Sequence, residues 1–167
     1  MQAVLVAGRG AGSLDDAGLF ASLYPSLRAF AAVTGSVDVE PDDLVQEAVA
    51  RTLRHHQLVD LDDAGAYLRR AIVNLAANRR RSMARFRVAF ARLDRVDEAQ
   101  APEYGSDMAD LLRLEPDARA LLYMIEVEGH SYAEASVVLG ITEEAARARA
   151  IRARRRLRAE VEGARDE

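Results

Sequence analysis

Apolar residues recur at helical spacing along nearly the whole chain, and no β-branched alternating stretch of strand length interrupts them. The expectation is an all-α fold. With 167 residues, the chain can form one ordinary domain or two small ones. Start and stop signals divide the pattern. Between Asp15 and Val33, the residues Leu19, Phe20, Leu23, Leu27, Phe30 and Ala31 mark a first helix; Pro25 should bend it and Gly35 should end it. Glu40-Pro41-Asp42-Asp43 is a strong start: proline at the first helical position loses no hydrogen bond, and acids favour the positive end of the helix dipole. Leu44, Val45, Ala48, Val49, Thr52 and Leu53 then form one stripe, expected to be buried. Leu58–Asp63 reads as a loop in which Asp62 or Asp63 caps the next helix. That helix is expected from Ala64 to Arg81, or as far as Arg92, with Tyr67, Leu68, Ala71, Ile72, Leu75 and Ala76 as its apolar face.

After Asp94 the composition changes. The stretch to Ser106 is acidic and holds Gln100, Pro102 and Gly105, which reads as a flexible linker. The expected organisation is two small helical domains, 13–93 and 108–163, joined by 94–107. In the second, Met108–Arg113 is a short helix, and Glu115-Pro116-Asp117 opens another that runs to about Glu128 and stops at Gly129. Ser131 and Glu134 are spaced as a capping box for a helix ending near Leu139. Gly140 makes the turn, and Thr142 caps a last helix whose inward row is Ala146, Ala150, Ala153, Leu157 and Val161.

Charge narrows the function. All 23 basic residues are arginine, and the net charge is −4. Ala64–Leu93 holds eight arginines and no acid, and Ala145–Ala159 holds seven and no acid. The remaining 122 residues carry eight arginines against 27 acids. Two concentrated positive segments on an acidic chain fit two polyanion-binding surfaces; two solvated helix faces are the plainer alternative. Ser131–Arg158 joins a capped short helix, a glycine turn and a basic helix, which is the helix-turn-helix pattern. Arg147, Arg149 and Arg152 can leave its apolar row and meet phosphates or guanine edges. An ordinary helical hairpin has the same periodicity.

Other functions lack support. The chain has no cysteine, and its three histidines lack partners at metal-ligand spacing, so no cofactor or metal is expected. Asp42-Asp43 and Asp62-Asp63 sit at helix starts, where acids cap, and no Walker-type glycine loop is present, so no catalytic residue is assigned. No run of about 18 apolar residues could span a membrane. Met1–Gly8 lacks the basic start and apolar length of a signal peptide, so the cytoplasm is the expected location.

The wording of two segments is more specific than their periodicity. Glu128-Gly129-His130-Ser131-Tyr132-Ala133-Glu134-Ala135, Leu139-Gly140-Ile141-Thr142-Glu143-Glu144 and Arg152-Ala153-Arg154-Arg155-Arg156-Leu157-Arg158 together resemble region 4 of bacterial sigma factors, in particular the extracytoplasmic-function kind. Upstream, Glu40-Pro41-Asp42-Asp43-Leu44-Val45-Gln46-Glu47 resembles the D-L-V-Q-E phrase of region 2, and Ala66–Ala76 resembles the phrase that closes that region. The likeness covers about Ser13–Arg81 and Met108–Val161. It implies a sigma factor that binds core RNA polymerase and directs promoter-specific initiation, with an anti-sigma protein as a candidate further partner. Asp43, Gln46, Glu47 and Arg51 would contact the polymerase. Arg69, Arg70, Asn74, Asn78, Arg79, Arg80 and Arg81, with the Leu58–Asp63 loop, would hold the melted −10 strand. Thr142, Glu144, Arg147, Arg149 and Arg152 would meet the −35 duplex. Three polar positions of the region 4 pattern are here Ala145, Ala148 and Ile151, so −35 reading would lean on arginine. Two alternatives follow from the residues. One is a sigma-like polymerase-binding regulator with altered −35 reading. The other is a plain helix-turn-helix regulator. Asn74 likewise has two readings, as a DNA contact or as a buried amide bonded to backbone.

Overall fold

The computed structural model describes residues 15–91, 111 and 113–163, and every regular element among them is helical. Helix α1 spans Asp16–Thr34, α2 Pro41–Leu53, a 3-10 turn Leu58–Asp60, α3 Ala64–Ala91, α4 Pro116–Glu126, α5 Tyr132–Leu139 and α6 Glu143–Gly163. The linker expected at 94–107 lies outside the described residues, as does most of the helix expected at Met108–Arg113.

Local chemistry explains the boundaries. The Asp15 carboxylate accepts the Gly18 amide at 2.7 Å and starts α1. The helix is continuous through Pro25, because Leu27, Phe30 and Ala31 beyond it are fully buried and hold the last turns in place. Pro41 is the first residue of α2. Asp63 caps α3 by accepting from the Ala66 amide at 2.8 Å. The Ser131–Glu134 box is present in both directions, and Gly140 closes α5 in the left-handed conformation at φ 65°. Thr142 Oγ1 accepts the Ala145 amide at 3.1 Å and starts α6.

Helices α1, α2 and α3 pack on one another as a bundle. Leu27, Phe30, Leu44, Val45, Leu58, Leu68 and Ile72 fill its centre. Two residues expected on the buried stripes are instead open to solvent: Leu53 is 47% exposed and Tyr67 41%. Leu53 is the last residue of α2, where the chain turns away, and Tyr67 meets only the edge of the His56 ring, 5.6 Å between centroids.

The helices on either side of the 94–107 segment share one apolar core. Helix α4 lies against α1 and α3, and α5 against α3. Leu114, Ala120, Leu121, Met124, Ala135 and Val138 join the cluster formed by α1–α3. The Phe30 and Tyr123 rings meet edge to face at 6.1 Å.

A buried arginine fixes this junction. Arg119 of α4 is 2% exposed. Its guanidinium donates to the carbonyls of Thr34 and Gly35 at 2.6 Å each, and to that of Leu114 at 3.1 Å. Thr34 and Gly35 form the end of α1, where carbonyls lack helical partners and the dipole is negative. Burial, together with the nearby Arg80, pushes the Arg119 pKa down to about 10, so the group stays charged at neutral pH. Gly35 lets Leu44 of α2 pack close against this helix end: a Cβ there would lie 2.9 Å from both the Ala31 carbonyl oxygen and Leu44 Cδ1. Arg119→Ala should leave buried carbonyls without donors and lower stability by about 2–4 kcal/mol, read from urea unfolding. A change below about 0.5 kcal/mol would show that the junction does not depend on this group.

Candidate nucleic-acid interface

The first basic cluster lies on α3, where an arginine-rich face follows from the same periodicity that buries Leu68, Ile72 and Leu75. The structure divides the expected −10 residues into three groups. Asn78, Arg79 and Arg81, with Arg85, line an open groove of about 700 Å³ between α2 and α3. Glu47 and Arg51, expected to contact the polymerase, line the same groove. Arg79 donates to Glu47 at 2.6 Å, and Arg81 donates to Asn78 at 2.6 Å. Burial alone would raise the Glu47 carboxyl, but its hydrogen bonds from Arg79 and Arg51 hold it below its ordinary value.

Arg69, Arg70 and Arg80 form the second group, and they face the C-terminal helices. Arg69 pairs with Glu128 at 2.8 Å, their side chains 12% and 14% exposed, and its guanidinium lies 5.7 Å from the centre of the Phe30 ring. Arg80 donates to the Leu114 carbonyl at 3.0 Å and pairs with Glu115 at 2.8 Å. The Arg70 guanidinium lies over the Gly140 turn, so close that a Cβ on Gly140 would stand 2.5 Å from it. Asn74 stands apart as the third: it is exposed and makes no side-chain hydrogen bond among the described residues, which removes the reading of it as a buried amide.

On α2, Asp43 and Gln46 are exposed. Asp42 beside them is occupied, accepting from the Tyr24 hydroxyl at 2.6 Å and from Arg28 Nε at 3.0 Å. Asp43 and Gln46 are therefore the open polar residues of this helix start.

The second basic cluster is carried by α5 and α6. Ala146, Ala150 and Ala153 form the inward row of α6, which packs on α4 and α5. At about 100° per residue, Arg147 and Arg149 fall on opposite flanks of the helix. Arg147 bonds to Glu143 and lies 4.9 Å from the centre of the Tyr132 ring. Arg149 turns to α4 and pairs with Asp117. Arg154 is held by Glu126, at 2.9 Å from Nε, and by the Tyr132 hydroxyl at 3.0 Å. Arg152, Arg155 and Arg158 are exposed and make no ion pair among the described residues. Thr142 acts as a cap, and Glu144 is exposed.

Sequence reasoning did not identify Arg119, Glu128, Arg155 or Ile151 as site residues. The basic run itself pointed to Arg155. Nothing local distinguishes Arg119 or Glu128, because their partners are 85 and 59 residues away in the chain. Among the described residues, no cluster of three or more His, Asp and Glu side chains could hold a metal, and no helix is long and apolar enough to cross a membrane.

Comparison with known proteins bears on these surfaces. Residues 111–157 match the family model for sigma-70, region 4. The fold of the whole chain is similar to that of the sigma factor RpoE from Bartonella quintana, solved in complex with the anti-sigma factor NepR. That likeness has a TM-score of 0.64 at 24% identity and covers 86% of this chain and 94% of the other. It is also similar to CnrH, solved in complex with the cytosolic domain of CnrY, with a TM-score of 0.57 at 26% identity over 89% of this chain and 88% of the other. No curated protein sequence matches significantly.

The exposure of Asn74 has a direct consequence. Asn74→Ala should change unfolding stability by no more than about 0.5 kcal/mol, as expected of an open surface position. A loss above about 1 kcal/mol in urea unfolding would return Asn74 to a structural role.

Proposed function

We propose that this chain is a sigma-70 family protein of the extracytoplasmic-function kind and a dissociable initiation subunit of bacterial RNA polymerase, a reading supported by the region 4 match and by the likeness to RpoE and CnrH. The observation that carries the reading is the region 4 match at 111–157, which falls on a capped helix-turn-helix whose second helix presents unpaired arginines. The chain acts by binding and is assigned no reaction. Its place of action is the cytoplasm, where the polymerase works. Two segments share the work, 13–93 at the polymerase and the −10 element and 108–163 at the −35 element.

The start of α2 supplies the contact to core enzyme. Asp43 and Gln46 are open there, while Glu47 and Arg51 are tied to the α2–α3 groove. Asn74, Asn78, Arg79 and Arg81 serve the melted −10 strand. Phosphate contacts from the arginines give affinity that falls with salt, and the asparagines can bond to base edges. Arg69 can join them only by releasing Glu128, whereas Arg70 is exposed beside the Gly140 turn and the Arg80 side chain stays 40% exposed beside Leu114 and Glu115. The Arg69–Glu128 pair is largely closed from solvent, so DNA engagement at Arg69 requires Glu128 to move off α3. RpoE and CnrH were solved with protein partners, which supports an anti-sigma protein as a partner here too.

On α6, Glu144 and Arg152 face outward and serve the −35 duplex, with Arg147 at one flank. Arg149 reaches DNA only if it leaves Asp117. A regulator without promoter reading is a second possibility, favoured by one observation: the most outward position of α6 is an alanine, Ala148.

Run-off transcription with core polymerase on genomic DNA tests the reading directly. Defined, reproducible start sites are expected; core binding without any start site would favour the regulator. Gln46→Arg is the cleaner probe of the polymerase contact, because Gln46 is exposed and holds no side-chain partner among the described residues, whereas Glu47 holds two arginines. It should leave the melting temperature unchanged and lower affinity for core polymerase at least about tenfold, a loss of about 1.4 kcal/mol. Arg152→Ala should weaken binding to all duplexes alike and reduce the slope of log affinity against log salt by about one.

A further inference from the structure

We propose that α6 selects thymine in the −35 duplex by apolar contact, with Ile151 and Ala148 packing against thymine methyl groups in the major groove. The inference rests on the sigma reading above and names what its duplex-reading helix recognises.

Helix α6 is oriented by its packing on α4 and α5. Ala146, Ala150 and Ala153 mark its inward line. At about 100° per residue, Ala148 lies almost opposite that line. Arg155 and Arg152 stand close to it on either side, and Ile151 lies within about 60°. Arg147 and Arg149 both fall about 100° from Ala148 and are drawn back, to Glu143 with Tyr132 and to Asp117. Arg147 and Arg149 have thus turned to the flanks, which leaves Glu144 and Arg152, each about 40° from Ala148, as polar side chains bordering the outward face.

The centre of this face is apolar. Ile151 is 62% exposed, and Ala148 is exposed. A single exposed isoleucine normally needs no explanation. This one sits among the open arginines Arg152, Arg155 and Arg158, on the surface whose charge complements a nucleic-acid backbone. An apolar group held against a polyanion has one apolar partner in the major groove, the C5-methyl group of thymine. The short side chain of Ala148 lets the helix axis approach the groove floor, which brings the Ile151 methyl groups within reach of base edges. The surrounding arginines hold phosphates and fix the register.

The test uses holoenzyme formed from the full chain and core polymerase, on a promoter found by mapping its transcript starts. Each −35 thymine, on either strand, is replaced in turn by deoxyuridine, which removes one methyl group and leaves base pairing intact. At one or two positions the replacement should weaken promoter binding about three- to fourfold, the factor expected for burying one carbon group. Ile151→Ser should abolish that sensitivity while leaving assembly with core polymerase, the helical circular dichroism and the melting temperature unchanged. Three results would each overturn the inference alone: no position sensitive to deoxyuridine, undiminished sensitivity in Ile151→Ser, or a −35 element without an A·T pair. Failure of the chain to assemble with core polymerase at all would overturn the sigma reading itself, and the inference with it.

Discussion

The contact of the Arg119 guanidinium with the C-terminal carbonyls of α1 is the constraint on which the rest of the arrangement depends. A buried cation is costly unless fully bonded, and here it meets Thr34, Gly35 and Leu114 carbonyls at the negative end of a helix. The same contact satisfies carbonyls that α1 cannot satisfy itself. Because α4 carries Arg119, it is held in one position against α1, and α5 and α6 pack on α4 in turn. The half-buried Arg69–Glu128 pair and the Arg80–Leu114 bond hold the same junction from α3. Removing one partner of such a set leaves the other desolvated and unpaired, which makes the junction cooperative rather than a sum of weak surface contacts.

That junction sorts the arginines into two populations. Arg69, Arg79, Arg80, Arg119, Arg149 and Arg154 are tied to carboxylates or carbonyls within the chain. Arg152, Arg155 and Arg158 remain open on α6. The strong positive field suggested by the sequence is therefore partly neutralised at close range, and what reaches solvent is narrower than either cluster. For the proposed function, in which one surface grips a single strand and another a duplex, this has a physical consequence. Under the proposed function, Arg69 would have to exchange Glu128 for nucleic acid, whereas the outward face of α6 is available without rearrangement. Affinity at the two elements then depends differently on whatever stabilises or releases the junction.

Much of the architecture follows from local rules. Pro41 and Pro116 at first helical positions, the Ser131–Glu134 box, the Gly140 turn and the Ala146–Ala150–Ala153 row each rest on groups within a few residues of one another. Such features are legible because their energetics involve only neighbouring backbone. Leu53 and Tyr67 mark where that reasoning stops. Both follow the apolar period of their helices, yet they are only partly covered, because periodicity defines a face and not its cover.

The sequence by itself determined the helices, their caps, the two arginine-rich faces and the order of motifs resembling regions 2 and 4, since all of these are properties of residues close in the chain. The tertiary structure decided which arginines are open. Arg147 and Arg149 differ by one residue between them, yet one bonds to its own helix and the other to Asp117 on α4. Arg119 is buried and Arg152 is open because of where α1 ends and where α4 lies, 85 residues apart for the Arg119–Thr34 bond. An ion pair depends on the distance between its charges, and for partners so remote in the chain that distance is set only when the core has packed.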